Sequence, residues 1–378
     1  MYKKTKHTPL KLALIGGGIN STIGETHFLA SQLDKCFEIV SGCFSKNYKT
    51  SLITAKNWNI SKKRVYKNLK DLINKEKKLV DAFVVLSPTP NHFSVLRRLI
   101  NSDLSIICEK PLVSSLNQAL ILKKEIKKSQ SFVAVTYNYT GYPLVREIKE
   151  IVKRGRIGKI LNIHFEMPQE VFLRKNIKRL KIQKWRLNDQ KIPTICLDLG
   201  IHLYNLSWFI TGKEPLKLIS DFSNLASKKN LVDDVKIWLK YKNGMNGSFW
   251  ISKSALGNRN GLKLEIYGER GSVIWRHSSP EKIELNHNDG SKKILDRSSK
   301  AFVLNFKRYN RYRAGHPAGF IEAFANAYTD IADALIAHKK RKKKQNKYVF
   351  GFQHSLKGIK FLETASKANL TKKWLKIN

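Results

Sequence analysis

A lysine set between an acid and a proline, Glu109-Lys110-Pro111, closes the apolar run Leu104-Ser105-Ile106-Ile107-Cys108. An ammonium group at the carboxyl end of a buried strand lies at the edge where ligands collect in a doubly wound sheet, so Lys110 is a candidate for proton-transfer chemistry. About ninety residues earlier, the apolar stretch Lys11-Leu12-Ala13-Leu14-Ile15 runs into Gly16-Gly17-Gly18-Ile19-Asn20-Ser21. Glycines at 16 and 18 permit a tight turn and let backbone approach a pyrophosphate, which then rests on the amino end of the next helix. Asn20 and Ser21 complete that turn, with Ser21 where the pattern prefers Gly or Ala. A third constellation, Asp198-Leu199-Gly200-Ile201-His202, sets a carboxylate and an imidazole four residues apart, a spacing that shares one face of an α-helix. Histidine titrates near neutral pH and suits a proton acceptor.

Two loops add binding groups. Ser87-Pro88-Thr89-Pro90-Asn91-His92 follows the apolar run Ala82–Leu86. Its prolines stiffen it, while Thr89 and Asn91 can either bond a ribose or cap the following helix. His92 reads as a loop or helix-start residue and not as a catalyst. At the tip of the second strand stands Phe44-Ser45-Lys46-Asn47, which has no acid to bind a ribose 2′-hydroxyl. Glu38 has the right spacing from Gly18 but begins the strand and sits at the wrong end of the sheet. Ser45 suits a hydroxyl or a phosphate and Lys46 a 2′-phosphate, so NAD or NADP is expected, with weak discrimination.

The elements that must position these groups alternate over the first 140 residues. Expected strands are Leu10–Ile15, Phe37–Cys43, Ala82–Leu86, Leu104–Cys108 and Phe132–Tyr137, with helices Thr22–Leu33, Leu69–Glu76, His92–Asn101 and Ser115–Lys128 between them. That βαβ rhythm predicts an α/β fold with a Rossmann-like, doubly wound parallel sheet. After Tyr142-Pro143 comes a helix, Leu144–Lys153, and then strands Ile160–Glu166, Val235–Tyr241, Gly247–Ile251, Leu262–Tyr267 and Ser272–Trp275. Turn signals such as Lys242-Asn243-Gly244 separate them, which predicts an α+β domain with a large, mostly antiparallel open sheet. Two late helices are expected at Phe320–Ala337 and His354–Ala368. The expected domains are 1–140, binding NAD(P), and 141–378, binding substrate and forming the oligomer.

The length of 378 residues suits two domains, and a 42% hydrophobic content suits ordinary globular cores. The four cysteines show no CxxC spacing and read as reduced, and no metal site is expected. No apolar stretch nears the roughly 18 residues of a membrane span, and the basic Met1–Pro9 lacks the apolar stretch of a signal peptide, so a cytoplasmic protein without a membrane partner is expected. The net charge of +42 is spread over nearly every helix, and the dense block Lys339–Lys344 contains no aromatic residue. A nucleic-acid surface would concentrate its cations on one face. Salt-sensitive adhesion to polyanions is expected, and no specific nucleic-acid function.

Together these residues resemble the glucose–fructose oxidoreductase/inositol dehydrogenase/MocA (Gfo/Idh/MocA) family of NAD(P)-dependent sugar oxidoreductases. The resemblance spans nearly the whole chain and rests on Gly16-Gly17-Gly18, Thr89-Pro90-Asn91, Glu109-Lys110-Pro111, Arg156-Ile157-Gly158-Lys159-Ile160, Trp185-Arg186 and Asp198-x-Gly200-x-His202. Ile23-Gly24-x-x-His27, Asn138-Tyr139-Thr140-Gly141-Tyr142-Pro143, Pro168-Gln169 and Gly315-His316-Pro317 resemble a branch acting on glucosides or anhydrosugars. Two features depart from the family pattern: Ser94 stands where a histidine is common, and Lys181–Thr194 lacks a glycine-rich stretch. The resemblance implies hydride transfer between NAD(P) and a carbinol carbon of a sugar, cyclitol or sugar derivative. In it His202 handles the hydroxyl proton, Lys110 bonds the same oxygen, and Asp198 orients His202 or the substrate. Gly16, Gly18, Asn20, Ser21, Ser45, Lys46, Ser87, Thr89, Pro90, Asn91, Glu109 and Lys110 are the expected cofactor contacts. Asn138, Tyr139, Gln169, Trp185 and His316 are candidates for sugar hydroxyls or for packing and loop structure. A homo-dimer or homo-tetramer through the open sheet is also implied. The alternatives are a non-catalytic NAD(P)-binding regulator, which usually loses the lysine or histidine, and NAD-assisted glycoside cleavage.

Overall fold

The computed structural model describes residues 8–175, 183–226, 230–342 and 346–377. Most of the basic amino-terminal stretch, the first two residues of Lys181–Thr194 and the end of the Lys339–Lys344 block lie outside the described residues. The chain divides into two compact units, Met1–Gly141 with Phe320–Leu356, and Tyr142–Gly319 with Lys357–Asn378.

In the first unit the elements run β1 (Leu10–Gly16), α1 (Gly24–Leu33), β2 (Phe37–Cys43), α2 (Tyr48–Asn57), α3 (Leu69–Glu76), β3 (Ala82–Leu86), α4 (Thr89–Ile100), β4 (Ile106–Glu109), α5 (Leu116–Ile126) and β5 (Val133–Thr136). The strands form one parallel sheet in the order β2-β1-β3-β4-β5. Their near-continuous apolar character follows from burial on both faces: all five residues of β3 are buried. Isolated bridges extend the sheet at both edges, Gly42 with Val65 in parallel and Val135 with Phe350 antiparallel. Gly16 pairs with Leu86, so the ends of β1 and β3 lie side by side where the winding reverses, the crevice in which such sheets take ligands.

The second unit contains α6 (Pro143–Lys153), β6 (Ile160–Pro168), α7 (Ile201–Thr211), β7 (Lys217–Ser223), β8 (Asp234–Lys240), β9 (Asn246–Ser252), β10 (Lys263–Gly268), β11 (Gly271–Arg276), β12 (Ile283–His287) and β13 (Lys292–Leu295). Two long helices, α8 (Phe320–Lys339) and α9 (Phe352–Thr371), and a short β14 (Leu375–Lys376) complete the described chain. Nine strands form one sheet, β13-β12-β11-β10-β6-β9-β8-β7-β14, antiparallel except for the β6–β9 pair. Alternation along β8 is strict from Val235 onward: Val235, Ile237 and Leu239 are buried, and Lys236, Trp238 and Lys240 are exposed.

From sequence, residues 141–378 form one domain, whereas in the structure 320–356 return to the first unit. The physical reason is α8, whose Phe324, Tyr328, Ile331 and Leu335 fill the core cluster containing Leu12, Leu14 and Phe37. The helix α2 lies outside the sequence expectation because the residues it buries are Ser51, Thr54 and Ala55, which carry little apolar periodicity. Strand β13, Lys292-Lys293-Ile294-Leu295, has three exposed positions of four and no alternating signal. No helix among the described residues is long and apolar enough to cross a membrane.

Candidate functional site

The glycine turn leaves β1 with Gly16 at φ +81°, and a Cβ there would lie 2.8 Å from the backbone nitrogen of Ser87. Only glycine lets the ends of β1 and β3 approach so closely. Ser21 closes the turn, its amide donating to the Gly18 carbonyl at 2.7 Å and its Oγ accepting from the Ile23 amide at 3.4 Å. Gly18 donates to the Phe44 carbonyl at 3.1 Å, and Asn20 is exposed. The helix α1 starts at Gly24, two residues later than expected, and no side chain caps its amino end. A Cβ on Gly24 would fall 1.8 Å from the Gly17 carbonyl oxygen. Gly24 is therefore the glycine that packs closely on the turn, and Ser21 stands three residues before it.

At the tip of β3, the Ser87 hydroxyl is buried with no hydrogen-bond partner among the described residues. The helix α4 starts at Thr89 behind Pro88, without a side-chain cap, so neither Thr89 nor Asn91 takes the capping use left open by the sequence. Pro90 lies in the first turn, and Asn91 accepts Ser94 Oγ at its carbonyl, 3.0 Å. His92 is buried inside α4 and not in a loop. Its Nδ1 is 2.9 Å from the Pro111 carbonyl and its Nε2 2.7 Å from the Ser87 carbonyl, which bolts the lysine loop to the β3 tip. Burial pushes the imidazole pKa down, opposed by the two carbonyls. Beyond β2, Ser45 Oγ accepts the Asn47 amide at 3.2 Å, Asn47 caps α2, and Lys46 is exposed.

Glu109 ends β4 with its carboxylate turned to internal partners. Oε1 accepts from Thr136 Oγ1 and lies 3.2 Å from His27 Nε2, while His27 Nδ1 is 2.6 Å from the Tyr328 hydroxyl. Burial would raise the Glu109 pKa; the hydrogen bond and charge of His27, with Lys110 and Thr136, outweigh it and hold the carboxyl below its usual range. Lys110 follows, joined to Pro111 through a cis peptide bond. After β5 a short 3₁₀ turn, Asn138–Gly141, buries both Asn138 and Tyr139. Asn138 is 4% exposed, yet its amide nitrogen has no hydrogen-bond partner among the described residues. Buried donors are nearly always satisfied, so Ser87 and Asn138, following β3 and β5 of one sheet, fit the polar groups of a ligand. A backbone cradle closed to any Cβ and an uncapped helix head on the same edge fit a dinucleotide's pyrophosphate.

In the second unit, Asp198 lies in a π-helical turn, Cys196–Gly200, and His202 in α7, which is α-helical from Ile201. The sequence expectation assumed α geometry through both. His202 is 4% exposed. The Asp198 carboxylate is shared by Arg186 and by Lys253 Nζ, the latter at 3.1 Å. Lys253, 4% exposed, had not been singled out by sequence; the available signal is its place directly after the buried Ile251 and Ser252 at the end of β9. Gln169 is held by backbone bonds to Ser252 and Ala255. The indole N–H of Trp185 donates to Gln183 at 2.6 Å, so that donor is spent locally, and the Arg186 guanidinium stacks on its ring at 4.8 Å. His316 is exposed in an irregular loop, its carbonyl held by the buried Arg297. Removing one partner of a buried ion pair typically costs about 3–5 kcal/mol. Because Arg186 still neutralises Asp198, Lys253→Met is expected near the low end, about 3 kcal/mol, measured by urea unfolding; a change under about 0.5 kcal/mol, the usual size for surface positions, contradicts this.

Two family models match the chain: the oxidoreductase family, NAD-binding Rossmann fold, over residues 10–137, and the GFO/IDH/MocA C-terminal domain over residues 145–274. The uncharacterized oxidoreductase YfiI of Bacillus subtilis is 27% identical over 97% of this chain and 96% of its own. Among solved structures, an inositol dehydrogenase homolog of Azotobacter vinelandii complexed with NAD+ superposes with a TM-score of 0.91 at 23% identity, covering 99% of this chain and 98% of that one. A levoglucosan dehydrogenase complexed with NADH and levoglucosan superposes with a TM-score of 0.82 at 18% identity, covering 98% and 99%.

Proposed function

This chain belongs to the GFO/IDH/MocA oxidoreductase family, and from that premise we propose that it passes a hydride between a nicotinamide cofactor and a carbinol carbon of a sugar or cyclitol. The observation that carries the reading is the joint presence of Lys110, at the strand end of the NAD-binding unit, and of buried His202 beside the Asp198 motif. When bound, the nicotinamide accepts or supplies the hydride. The residues of the chain handle the rest: His202 takes the hydroxyl proton during oxidation and returns it during reduction, and Lys110 donates a hydrogen bond to the same oxygen. Asp198, neutralised by Arg186 and Lys253, orients its surroundings and is not itself the base. Gly16, Gly18, Gly24 and the head of α1 take the pyrophosphate, with Ser87 and Asn138 toward the rest of the ligand. Gln169, Trp185 and His316 contribute substrate contacts through faces and side-chain groups that the internal bonds leave unused.

Neutral polyols as the substrate class are supported by the sugar and cyclitol names among similar proteins, the levoglucosan complex included. Scanning sugars and inositols for a change in nicotinamide absorbance tests the reading. Reduced cofactor is expected to accumulate in step with substrate consumed; bond cleavage with no net reduced cofactor identifies redox-assisted glycoside cleavage instead. The uncovered sheet face, carrying exposed Trp238, Tyr267 and Ile294, supports a homo-dimer or homo-tetramer.

Cofactor choice follows from the tip of β2. It holds no carboxylate, and Lys46 is exposed there. Dissociation constants for NADH and NADPH are expected to lie within about tenfold, or ~1.4 kcal/mol. Lys46→Ala is expected to weaken NADPH several-fold and leave NADH unchanged. Exclusion of NADPH by the wild type, or equal affinities in the variant, overturns this assignment.

A further inference from the structure

The chain Thr136–Glu109–His27–Tyr328 is a buried polar line inside the first unit that core packing does not require. His27, Thr136 and Tyr328 are each 1% exposed and Glu109 9%. The phenyl ring of Phe324 packs edge-on to the imidazole at 5.0 Å and that of Tyr328 at 5.7 Å, closing it off from water. An arrangement that satisfies every member exists around the ionised Glu109 carboxylate. The Tyr328 hydroxyl donates to Nδ1, Nε2–H donates to the Glu109 carboxylate, and the Thr136 hydroxyl donates to the same oxygen. Replacing buried polar groups by apolar ones of the same shape is often neutral or stabilising, so stability does not explain why the line is there.

Its placement does. His27 lies one turn into α1, whose first residue, Gly24, packs on the glycine turn. Glu109 is the residue before Lys110 and ends β4, while Tyr328 anchors the far side from α8. We propose that His27 and Tyr328 are positioning residues for Lys110: they tie the helix that heads the cofactor turn to the strand end carrying the lysine. This rests on the reading of Lys110 given above. A displacement of about 1 Å at a reacting group can cost on the order of 10²-fold.

The test is a mutant cycle on the full chain, with kcat and the NADH dissociation constant measured for His27→Leu, His27→Gln and Tyr328→Phe, each alone and combined with Lys110→Met. His27→Leu is expected to lower kcat about 10–100-fold, with NADH affinity within threefold of wild type. His27→Gln, whose amide can donate toward Glu109 and accept from Tyr328, is expected to recover most of that loss. In the Lys110→Met background the further cost of His27→Leu is expected to fall below about twofold, since the positioned group is gone. Equal losses in both backgrounds, or equal losses for Leu and Gln, overturn the proposal. Should His27→Leu not fold, Tyr328→Phe, which deletes only a hydroxyl, is expected to show the same non-additivity, and additivity overturns the idea. An outcome in which Lys110→Met keeps full turnover removes the functional reading of Lys110 and not the tie. Amide exchange at Glu109, Lys110 and Leu112 then decides: at least tenfold faster exchange in His27→Leu supports the tie, and unchanged exchange overturns it.

Discussion

Lys110→Ala and His202→Ala are each expected to lower turnover by about 10²–10⁴-fold, the usual contribution of a positioned acid–base group, while NADH still binds. Oxidising a carbinol releases a proton together with the hydride, and an alkoxide without a partner in a dry site is costly. In the proposed mechanism Lys110 supplies the donor for that oxygen and His202 the acceptor for its proton. The two losses should differ in kind. Without the imidazole the proton has no acceptor, and without the ammonium the oxygen loses its donor. Turnover within threefold of wild type in either variant removes that residue from the mechanism. Asp198→Asn is expected to be milder, since Arg186 and Lys253 keep hydrogen-bond acceptors on the amide in place of the carboxylate.

The second large effect is expected at Gly24. A methyl group there would sit 1.8 Å from the Gly17 carbonyl oxygen, far inside contact distance, and the obstacle is backbone that cannot rotate away. Gly24→Ala must push the head of α1 off the glycine turn. Overpacking of this kind costs about 1–3 kcal/mol, occasionally more. The same displacement withdraws the amides that would face a pyrophosphate. NADH affinity is therefore expected to fall by at least about tenfold, measured by fluorescence titration, alongside a lower Tm. Wild-type affinity in a folded Gly24→Ala protein places the cofactor's phosphates elsewhere.

Much of this was legible from sequence because it is carried by local signals. The parallel strands read as apolar runs since both faces of their sheet are buried, and Leu69–Glu76 matches its expected helix end to end because Asn68 caps it and the apolar positions recur with the helical period. Asp198 and His202 stand out as titratable residues among apolar neighbours, and Lys110 as part of a charged pair closing an apolar run, which is a property of the chain itself. The start of α4 falls three residues before the expected one because Pro88 takes the cap position, allowing Thr89 and Pro90 into the first turn.

By itself, the sequence determined the fold class and pointed to the glycine turn and to Lys110, Asp198 and His202 as candidates, since each depends on residue types close together in the chain. Tertiary structure alone decided that His27 and Tyr328, 301 positions apart, join the Glu109 carboxylate in one line. The same holds for Lys253, 55 positions from Asp198, which shares that carboxylate with Arg186. It also decided that α8 belongs to the nucleotide-binding unit, and that Gly24 rather than Ser21 packs on the turn. The reason is common to all four. A buried polar group is stable only beside the partner that satisfies it, and a glycine is required only where another backbone approaches, so both depend on neighbours that the order of residues does not name.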